Sequence, residues 1–98
     1  MSRLNWVYIM TNERNGTLYL GSTSNLEARV QEHRAGTGSK FTKKYGLTRL
    51  VWYEEYPDYD SAINDEHRIK KWRREWKLKL IEERNPKWDD LWEEIAKW

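Results

Sequence analysis

The sequence predicts a single small α+β domain, residues 1–98, in which helices flank a three-stranded antiparallel sheet in the order β-β-α-β-α-α. Three observations support this fold class. Two short aromatic-rich segments near the start are separated by a turn signal, a third such segment lies mid-chain, and the second half has helical periodicity. A chain of 98 residues can form one hydrophobic core but not two.

The first two segments predict a β-hairpin. Residues 6–10 (WVYIM) and 17–21 (TLYLG) concentrate the β-branched, aromatic and aliphatic residues that favour strands. Between them lies Asn15-Gly16, a strong turn signal because both residues tolerate a positive φ.

The register of this hairpin decides how two tyrosines meet. If Met10 pairs with Thr17, Tyr8 lies directly opposite Tyr19. If a two-residue turn pairs Arg14 with Thr17, the tyrosines are offset along the strands. Both registers leave them on one face, because the shift between the registers is even. Two tyrosines on one face of a hairpin are either core residues or parts of a site, and the hairpin alone leaves both open.

A helix and a third strand are predicted next. Ser24 followed three residues later by Glu27 forms a capping-box pattern, so the helix should begin near residue 25, and Gly36 should end it. Residues 36–46 (GTGSKFTKKYG) are then predicted to form a basic loop. Residues 49–56 (RLVWYEEY) predict a strand that the following proline ends.

The second half of the chain is predicted to be helical. From about residue 60 an apolar stripe recurs at helical spacing, formed by Ala62, Ile69, Trp72, Trp76 and Leu80. A break near residues 74–76 would divide this segment into two helices. Asn85-Pro86 predicts a turn, and residues 87–98 predict a short amphipathic helix.

Composition excludes several classes of protein. No apolar run approaches the roughly 18 residues that cross a bilayer, and no signal-peptide pattern is present, so no membrane association is expected. The absence of cysteine excludes disulfides and cysteine-based zinc sites, and fits a cytoplasmic protein.

The net charge of +2 conceals an asymmetry. Residues 1–81 hold 15 Lys/Arg and 10 Asp/Glu, whereas residues 82–98 hold 3 and 6. The densest basic stretch, residues 68–79, contains seven positive residues and one acidic residue. It indicates either a polyanion-binding surface or an ordinary solvated helix face.

The first predicted helix carries two unexpected polar residues on its apolar side. At 100° per residue, Arg29 and His33 share one side with Leu26 and Val30. A buried guanidinium is unfavourable without an anionic partner. The pair is therefore either a flanking structural feature or a phosphate-binding pair, since arginine binds phosphate oxygens bidentately.

A carboxylate borders the apolar stripe of the next helix. On a helical wheel Glu66 lies about 55° from the centre of the side formed by Ala62, Ile69, Trp76 and Leu80. It could form a boundary salt bridge with Arg29 or Lys70, or it could be a metal ligand, since Mg²⁺ often takes one carboxylate plus water and phosphate oxygens. Two tyrosines, an arginine, a histidine and a carboxylate facing one sheet surface beside a basic loop would suit phosphodiester cleavage.

These residues resemble the motifs of the GIY-YIG nuclease superfamily over nearly the whole chain. The first motif is present as Trp6-Val7-Tyr8, with tryptophan where the family has glycine, and the second as Tyr19-Leu20-Gly21. Arg29 follows eight residues after Gly21, and Glu66 stands in the helical motif AINDEHRIKKWRR. Asn85, in NPKWDDL, resembles the C-terminal motif.

The resemblance implies hydrolysis of DNA phosphodiester bonds with one divalent ion, Mg²⁺ or Mn²⁺. It implies that Glu66 holds the metal and that Tyr8 is the general base, with nearby positive charge favouring the phenolate. Arg29 would clamp the phosphate, Tyr19 would orient water or phosphate, and His33 would assist by proton transfer or by orienting a neighbour. Two further residues would be structural: Gly21, and Asn85 at a C-terminal turn near the site.

The resemblance also implies DNA as the partner, whether branched, nicked or single-stranded, and a role in DNA repair or processing. Nonspecific attraction of phosphates would come from Lys40, Lys43, Lys44, Arg68, Lys70, Lys71 and Arg74.

Two alternatives remain. One is a nucleic-acid-binding module with little or no catalysis that needs a targeting protein partner. The other is a protein-interaction domain with an exposed aromatic patch formed by Trp72, Trp76, Trp88, Trp92 and Trp98. In the competing interpretation most of these tryptophans pack onto the sheet.

Overall fold

A computed structural model of the chain describes residues 4–98 and confirms the predicted sheet. The strands are β1 (Asn5–Thr11), β2 (Leu18–Thr23) and β3 (Arg49–Tyr56). They form one antiparallel sheet in the order β2-β1-β3, so β1 is central and β2 is an edge strand.

Neither predicted register of the hairpin is correct. Tyr8 lies opposite Gly21, and Met10 lies opposite Tyr19. The reason is the six-residue loop at 12–17, in which the Thr17 amide donates to Asn12 Oδ1 (3.1 Å) and the turn is wider than two residues. The observed register lies midway between the predicted ones and differs from each by an even shift, so both tyrosines remain on one face.

The helices keep the predicted order, with one additional short helix, α2 (Lys40–Tyr45). They are α1 (Leu26–Arg34), α2 (Lys40–Tyr45), α3 (Tyr59–Lys70), α4 (Arg74–Arg84) and α5 (Trp92–Ile95). The interpretation of 36–46 as a loop is wrong for α2. The break between α3 and α4 lies at 71–73 rather than at 74–76, and the C-terminal helix is a single turn.

The N-terminal cap of α1 also differs from the prediction. Asn25, not Ser24, is the capping residue, and its side-chain oxygen accepts a hydrogen bond from the Ala28 amide at 3.1 Å. Asn25 has extended backbone angles, as an N-cap residue does, and it satisfies one of the free amides of the first turn.

The sheet separates two hydrophobic clusters. Alternate residues of β1 point to opposite faces, so Val7 and Ile9 pack with α3 and α4, while Tyr8 and Met10 pack with α1 and α5. The first cluster contains Ala62, Ile69, Ile81 and Trp88, and the second contains Leu26, Val30 and Ile95. Helices α1 and α3 therefore lie on opposite faces of the sheet.

The predicted apolar stripe holds only along α3. Ala62 and Ile69 are buried, and Trp72 and Leu80 are partly buried, but Trp76 is 54% exposed. The break at 71–73 changes the helical phase, so α4 turns a different face to the sheet. Within residues 4–98, no helix is long and apolar enough to span a bilayer.

The C-terminal tryptophans divide between core and surface. Trp88 is completely buried and Trp92 is partly buried, whereas Trp98 is 58% exposed and stacks beside Trp6 with ring centroids 5.9 Å apart. Most of the tryptophans behind the interaction-domain alternative thus pack against the protein, and Trp76 and Trp98 stay exposed.

Candidate active site

A buried chain of hydrogen bonds joins β1, α1 and α2. The Tyr8 hydroxyl lies 2.8 Å from His33 Nε2, and His33 Nδ1 lies 3.0 Å from Thr42 Oγ1. All three side chains are at most 1% exposed. A tyrosine from the central strand is therefore coupled to a histidine that the sequence placed on the apolar side of α1.

One assignment of the protons satisfies every contact in this chain. If the Thr42 hydroxyl donates to the Ser39 carbonyl oxygen at 3.2 Å, Thr42 Oγ1 accepts both from Ser39 Oγ at 2.9 Å and from His33 Nδ1–H. His33 Nε2 is then the unprotonated nitrogen, and the Tyr8 hydroxyl donates to it. In this arrangement His33 Nε2 accepts the hydrogen bond of the Tyr8 hydroxyl.

Burial controls how these two groups titrate. Burial, assisted by the positive charge of Arg29, lowers the pKa of His33 to about 4, so the imidazole is neutral at pH 7. Burial also raises the pKa of Tyr8, and Tyr19 raises it further, whereas Arg29 lowers it by a smaller amount. The expectation that nearby positive charge gives Tyr8 phenolate character is therefore wrong here: burial dominates, and the resting side chain is a neutral phenol.

Arg29 and Tyr19 border the buried pair and are both partly exposed. The Tyr19 ring centroid lies 6.2 Å from that of Tyr8 and 5.2 Å from that of His33. The Arg29 guanidinium interacts electrostatically with Tyr8 and donates to Glu32 Oε1 at 2.8 Å. That ion pair is solvent-exposed, so an incoming anion could replace Glu32 at small energetic cost.

Gly21 allows the two tyrosines to pack over β2. A Cβ atom at this position would lie 2.8 Å from the Tyr8 hydroxyl oxygen and 2.9 Å from Tyr19 Cε2, closer than packed atoms approach. Gly38 likewise leaves room for the His33 ring, because a Cβ atom at residue 38 would clash with His33 Nδ1. The predicted structural importance of Gly21 thus has a steric cause.

Glu66 lies on the other side of β2 from these groups. Its carboxylate accepts from Ser22 Oγ at 2.5 Å and pairs with Lys70 Nζ at 2.5 Å. Ser22 follows Gly21 in the strand, so its side chain points to the opposite face, where α3 packs. The prediction that all five groups face one sheet surface is therefore wrong for Glu66. Of the two salt-bridge partners predicted for Glu66, Arg29 and Lys70, the structure has Lys70.

Glu66 remains ionised despite its burial. Burial by itself raises the pKa of Glu66, but the hydrogen bonds from Lys70 and Ser22 outweigh it and hold the pKa below its usual value. Among residues 4–98, no three His, Cys, Asp or Glu side chains cluster as a ready-made metal site. A metal ion at Glu66 would thus need water and substrate oxygens as further ligands.

The predicted phosphate-attracting cations fall into two groups. Three of them, Lys40, Lys43 and Lys44, are exposed on α2, on the same side of the sheet as α1. The others lie at the α3–α4 junction, where several already have protein partners: Arg68 with Asp65, Lys70 with Glu66, and Arg74 with the carbonyls of residues 15 and 16. Lys71 is exposed there.

Asn85 has an architectural position. It is 5% exposed, its amide group donates to the carbonyls of Val51 (3.1 Å) and Asp89 (2.8 Å), and its oxygen accepts from the Asp89 amide (3.0 Å). These bonds fix the C-terminal turn to β3. Strand β1 separates β3 from β2. Asn85 therefore supports the edge of the sheet opposite to the edge that contains Gly21.

Sequence reasoning missed Ser39, Thr42 and Gly38. Ser39 caps α2 by accepting from the Thr42 amide at 3.1 Å, and Gly46 ends the helix with a left-handed φ of 65°. A serine and a glycine seven residues apart are start and stop signals for a short helix, and they could have indicated α2. The contact of Thr42 with His33 had no signal in the sequence.

Comparison with known proteins finds a matching family and similar proteins. Residues 4–79 match the family described as the GIY-YIG catalytic domain. A UPF0213 protein of Staphylococcus haemolyticus is 43% identical over 79 residues, covering 81% of this chain and 95% of that protein. A UPF0213 protein of Clostridium perfringens is 37% identical over 92 residues, covering 94% and 98% of the two chains.

A solved structure is also similar. The solution NMR structure of the UPF0213 protein BH0048 from Bacillus halodurans superposes with a TM-score of 0.56 and 28% sequence identity. The match covers 89% of this chain and 92% of that one, so it includes almost the whole fold.

Proposed function

This chain belongs to the GIY-YIG family of catalytic domains, which implies nuclease activity, and we propose that it is an endonuclease that hydrolyses DNA phosphodiester bonds with one divalent ion, Mg²⁺ or Mn²⁺. The observation that carries the proposal is the buried hydrogen bond from Tyr8 to a neutral His33, bordered by Arg29 and Tyr19. We further propose structure-selective or nonspecific cleavage in DNA repair or processing.

Glu66 is the residue that fits a divalent ion. Its carboxylate is ionised and almost buried, and Ser22 orients one of its oxygens. The other oxygen is held by Lys70, whose side chain is 50% exposed and therefore able to move into solvent. When bound, the ion would polarise the scissile phosphate and stabilise the leaving 3′ oxygen.

Tyr8 would act as general base only in combination with His33. A buried phenol with a raised pKa does not ionise spontaneously at pH 7. It can accept a proton from the attacking water if its own proton passes to His33 Nε2 over the 2.8 Å hydrogen bond. Thr42 would then hold the resulting imidazolium through Nδ1–H, as it holds the neutral ring.

Arg29 would bind the scissile phosphate and admit substrate to Tyr8. Because Tyr8 is completely buried, water reaches its hydroxyl only if a partly exposed neighbour moves. Exchange of Glu32 for a phosphate group would shift the Arg29 side chain and place its charge where negative charge develops. Tyr19, beside both Tyr8 and His33, would orient the water or the phosphate.

Nicking of supercoiled plasmid in Mg²⁺ or Mn²⁺ tests the enzymatic proposal. We expect Tyr8→Phe to lower the nicking rate about 100-fold or more, the usual contribution of a general base, and Glu66→Gln to abolish nicking. Tyr53→Phe is the matched control, since its hydroxyl binds Glu94, outside the site. Equal nicking by the wild type and both site variants would reveal a contaminating nuclease and refute the proposal.

Two observations favour a second candidate, a nucleic-acid-binding module with little catalysis that depends on a targeting partner. Tyr8 is completely buried, and the Glu66 carboxylate is engaged by Lys70. Such a protein would retard branched or single-stranded DNA in a gel while leaving the plasmid intact in either metal.

A further inference from the structure

A ladder of aromatic rings leads from the buried tyrosine to the surface of α2. The centroids of the Tyr8 and Tyr19 rings are 6.2 Å apart, those of Tyr19 and Phe41 6.3 Å, and those of Phe41 and Tyr45 4.9 Å. The inner two rings are buried or partly buried, whereas Phe41 and Tyr45 are each 44% exposed. Two adjacent exposed rings form an apolar patch, and such a patch rimmed by polar residues is typical of an interaction site.

The charges around these rings identify the kind of ligand. Helix α2 contains Lys40, Lys43 and Lys44 and no acidic residue, and within residues 4–98 none of these lysines forms an ion pair. Lys44 Nζ lies 5.3 Å from the centroid of the Tyr45 ring. Protein interfaces are depleted in lysine, whereas nucleic-acid grooves combine lysine with stacking aromatic rings.

The same hydrogen bonds that orient His33 position α2. Thr42 is 1% exposed and anchors the helix to His33 Nδ1, while Ser39 and Gly46 define its two ends. Phe41 and Tyr45, four residues apart, lie on one side of this anchored helix. The exposed rings are therefore held at a fixed position relative to the catalytic histidine of the proposed mechanism.

We propose that Phe41 and Tyr45 form a stacking surface for unpaired nucleobases beside the scissile phosphate, with the α2 lysines binding the flanking phosphates. The adjacency to the scissile phosphate rests on the proposed nuclease function. Bases inside a duplex already stack on one another, so only an unpaired strand or end offers free base faces to these rings. The protein should therefore bind single-stranded segments in preference to blunt duplex.

Fluorescence anisotropy with labelled oligo(dT) tests this surface. Oligo(dT) has no structure of its own, and EDTA in the buffer prevents cleavage, so a failure of the nuclease proposal leaves the measurement intact. Stacking of one base on one aromatic side chain is worth about fivefold to a hundredfold in affinity. We expect Phe41→Leu and Tyr45→Leu each to weaken binding by at least about fivefold, and Phe41→Trp to retain it.

Three controls separate stacking from other causes. Tyr59→Leu removes a 63% exposed tyrosine at the start of α3 and should bind like the wild type. Heparin, a polyanion without bases, should bind the leucine variants of Phe41 and Tyr45 as it binds the wild type. Lys43→Gln should weaken both ligands and reduce the salt dependence of oligo(dT) binding, by about 0.7 in log–log slope for one lost phosphate contact.

Two outcomes would overturn the proposal. One is unchanged oligo(dT) affinity in both leucine variants, which would leave a protein partner as the ligand of the exposed rings. The other is that Phe41→Leu and Tyr45→Leu lose oligo(dT) and heparin binding equally and that Phe41→Trp loses them as well. That result would mean that the substitutions act by disturbing α2.

Discussion

The protonation of His33 should make the stability of the fold depend on pH. In the folded protein the pKa of His33 is lowered to about 4, chiefly by burial and also by Arg29, whereas an exposed histidine has a pKa of about 6.5. Between these values the unfolded chain binds a proton that the folded protein does not. The free energy of unfolding must therefore fall as the pH decreases from 6.5 to 4, and the full loss is present below pH 4.

The gap between the two pKa values corresponds to about 3 kcal/mol, which is a large fraction of the stability of a small domain. Urea denaturation at several pH values between about 7 and 4 measures the loss. In His33→Gln the amide can replace the hydrogen bonds to Tyr8 and Thr42 but does not titrate. We expect the stability of the wild type minus that of the variant to decrease by about 3 kcal/mol from pH 7 to 4, because the contributions of the other titrating groups cancel.

His67→Gln is the matched control, since it removes the other histidine of the chain from an exposed position on α3. It keeps His33, so its stability should show the same fall of about 3 kcal/mol from pH 7 to 4 as the wild type. A difference between wild type and His33→Gln that stays constant from pH 7 to 4 would refute the reasoning, because it would mean that His33 titrates alike in the folded and unfolded states.

Two further predictions concern the strand between the two halves of the site. Gly21→Ala should destabilise the fold by about 1–3 kcal/mol, measured as a lowered Tm, because the new methyl group would displace the Tyr8 ring. The same displacement should greatly reduce plasmid nicking. A variant with the stability and nicking rate of the wild type would contradict this prediction. Lys70→Met should bind Mn²⁺ more tightly than Lys71→Met in calorimetry, because both remove one positive charge but only Lys70 occupies the Glu66 carboxylate; equal affinities would show that Lys70 does not compete with the ion.

The bounds of strand β3 and the existence of the two hairpin strands were predictable because local signals determine them, whereas β2 begins one residue and ends two residues later than predicted. Aromatic and β-branched residues bounded by Pro57 predicted the strand over the residues that form it. The hairpin register was not predictable from Asn15-Gly16, because side-chain hydrogen bonds in the loop, such as that of Asn12, decide its width. The face of each tyrosine was nevertheless correct, since strand alternation does not change under even shifts.

Helix α2 escaped prediction because tertiary contacts hold it. Its six residues have no apolar periodicity, and Thr42 is its one buried residue. A helix this short is unstable alone, so it depends on the cap from Ser39 and on the bond from Thr42 to His33. Such a bond between residues nine positions apart has no pattern in the chain.

The face of the sheet on which Glu66 lies could not be predicted from the sequence. A helical wheel describes which side of α3 is apolar, and it correctly placed Glu66 at the border of that side. It contains no information on which face of the sheet the helix covers, which depends on how α3 crosses from β3. The assumption of one common face failed for that reason.

Tyr8 and Glu66 can still act on one phosphate, because consecutive residues of β2 face opposite sides of the sheet. Gly21 and Ser22 are consecutive, so the point where Tyr8 meets the strand and the point where Glu66 binds it differ by one residue, a rise of about 3.3 Å. Within residues 4–98, β2 pairs only with β1, so its outer edge carries no further strand. A phosphodiester crossing this edge would have the phenol on one side and the carboxylate on the other, and the two groups would not need a common face to act on one phosphate.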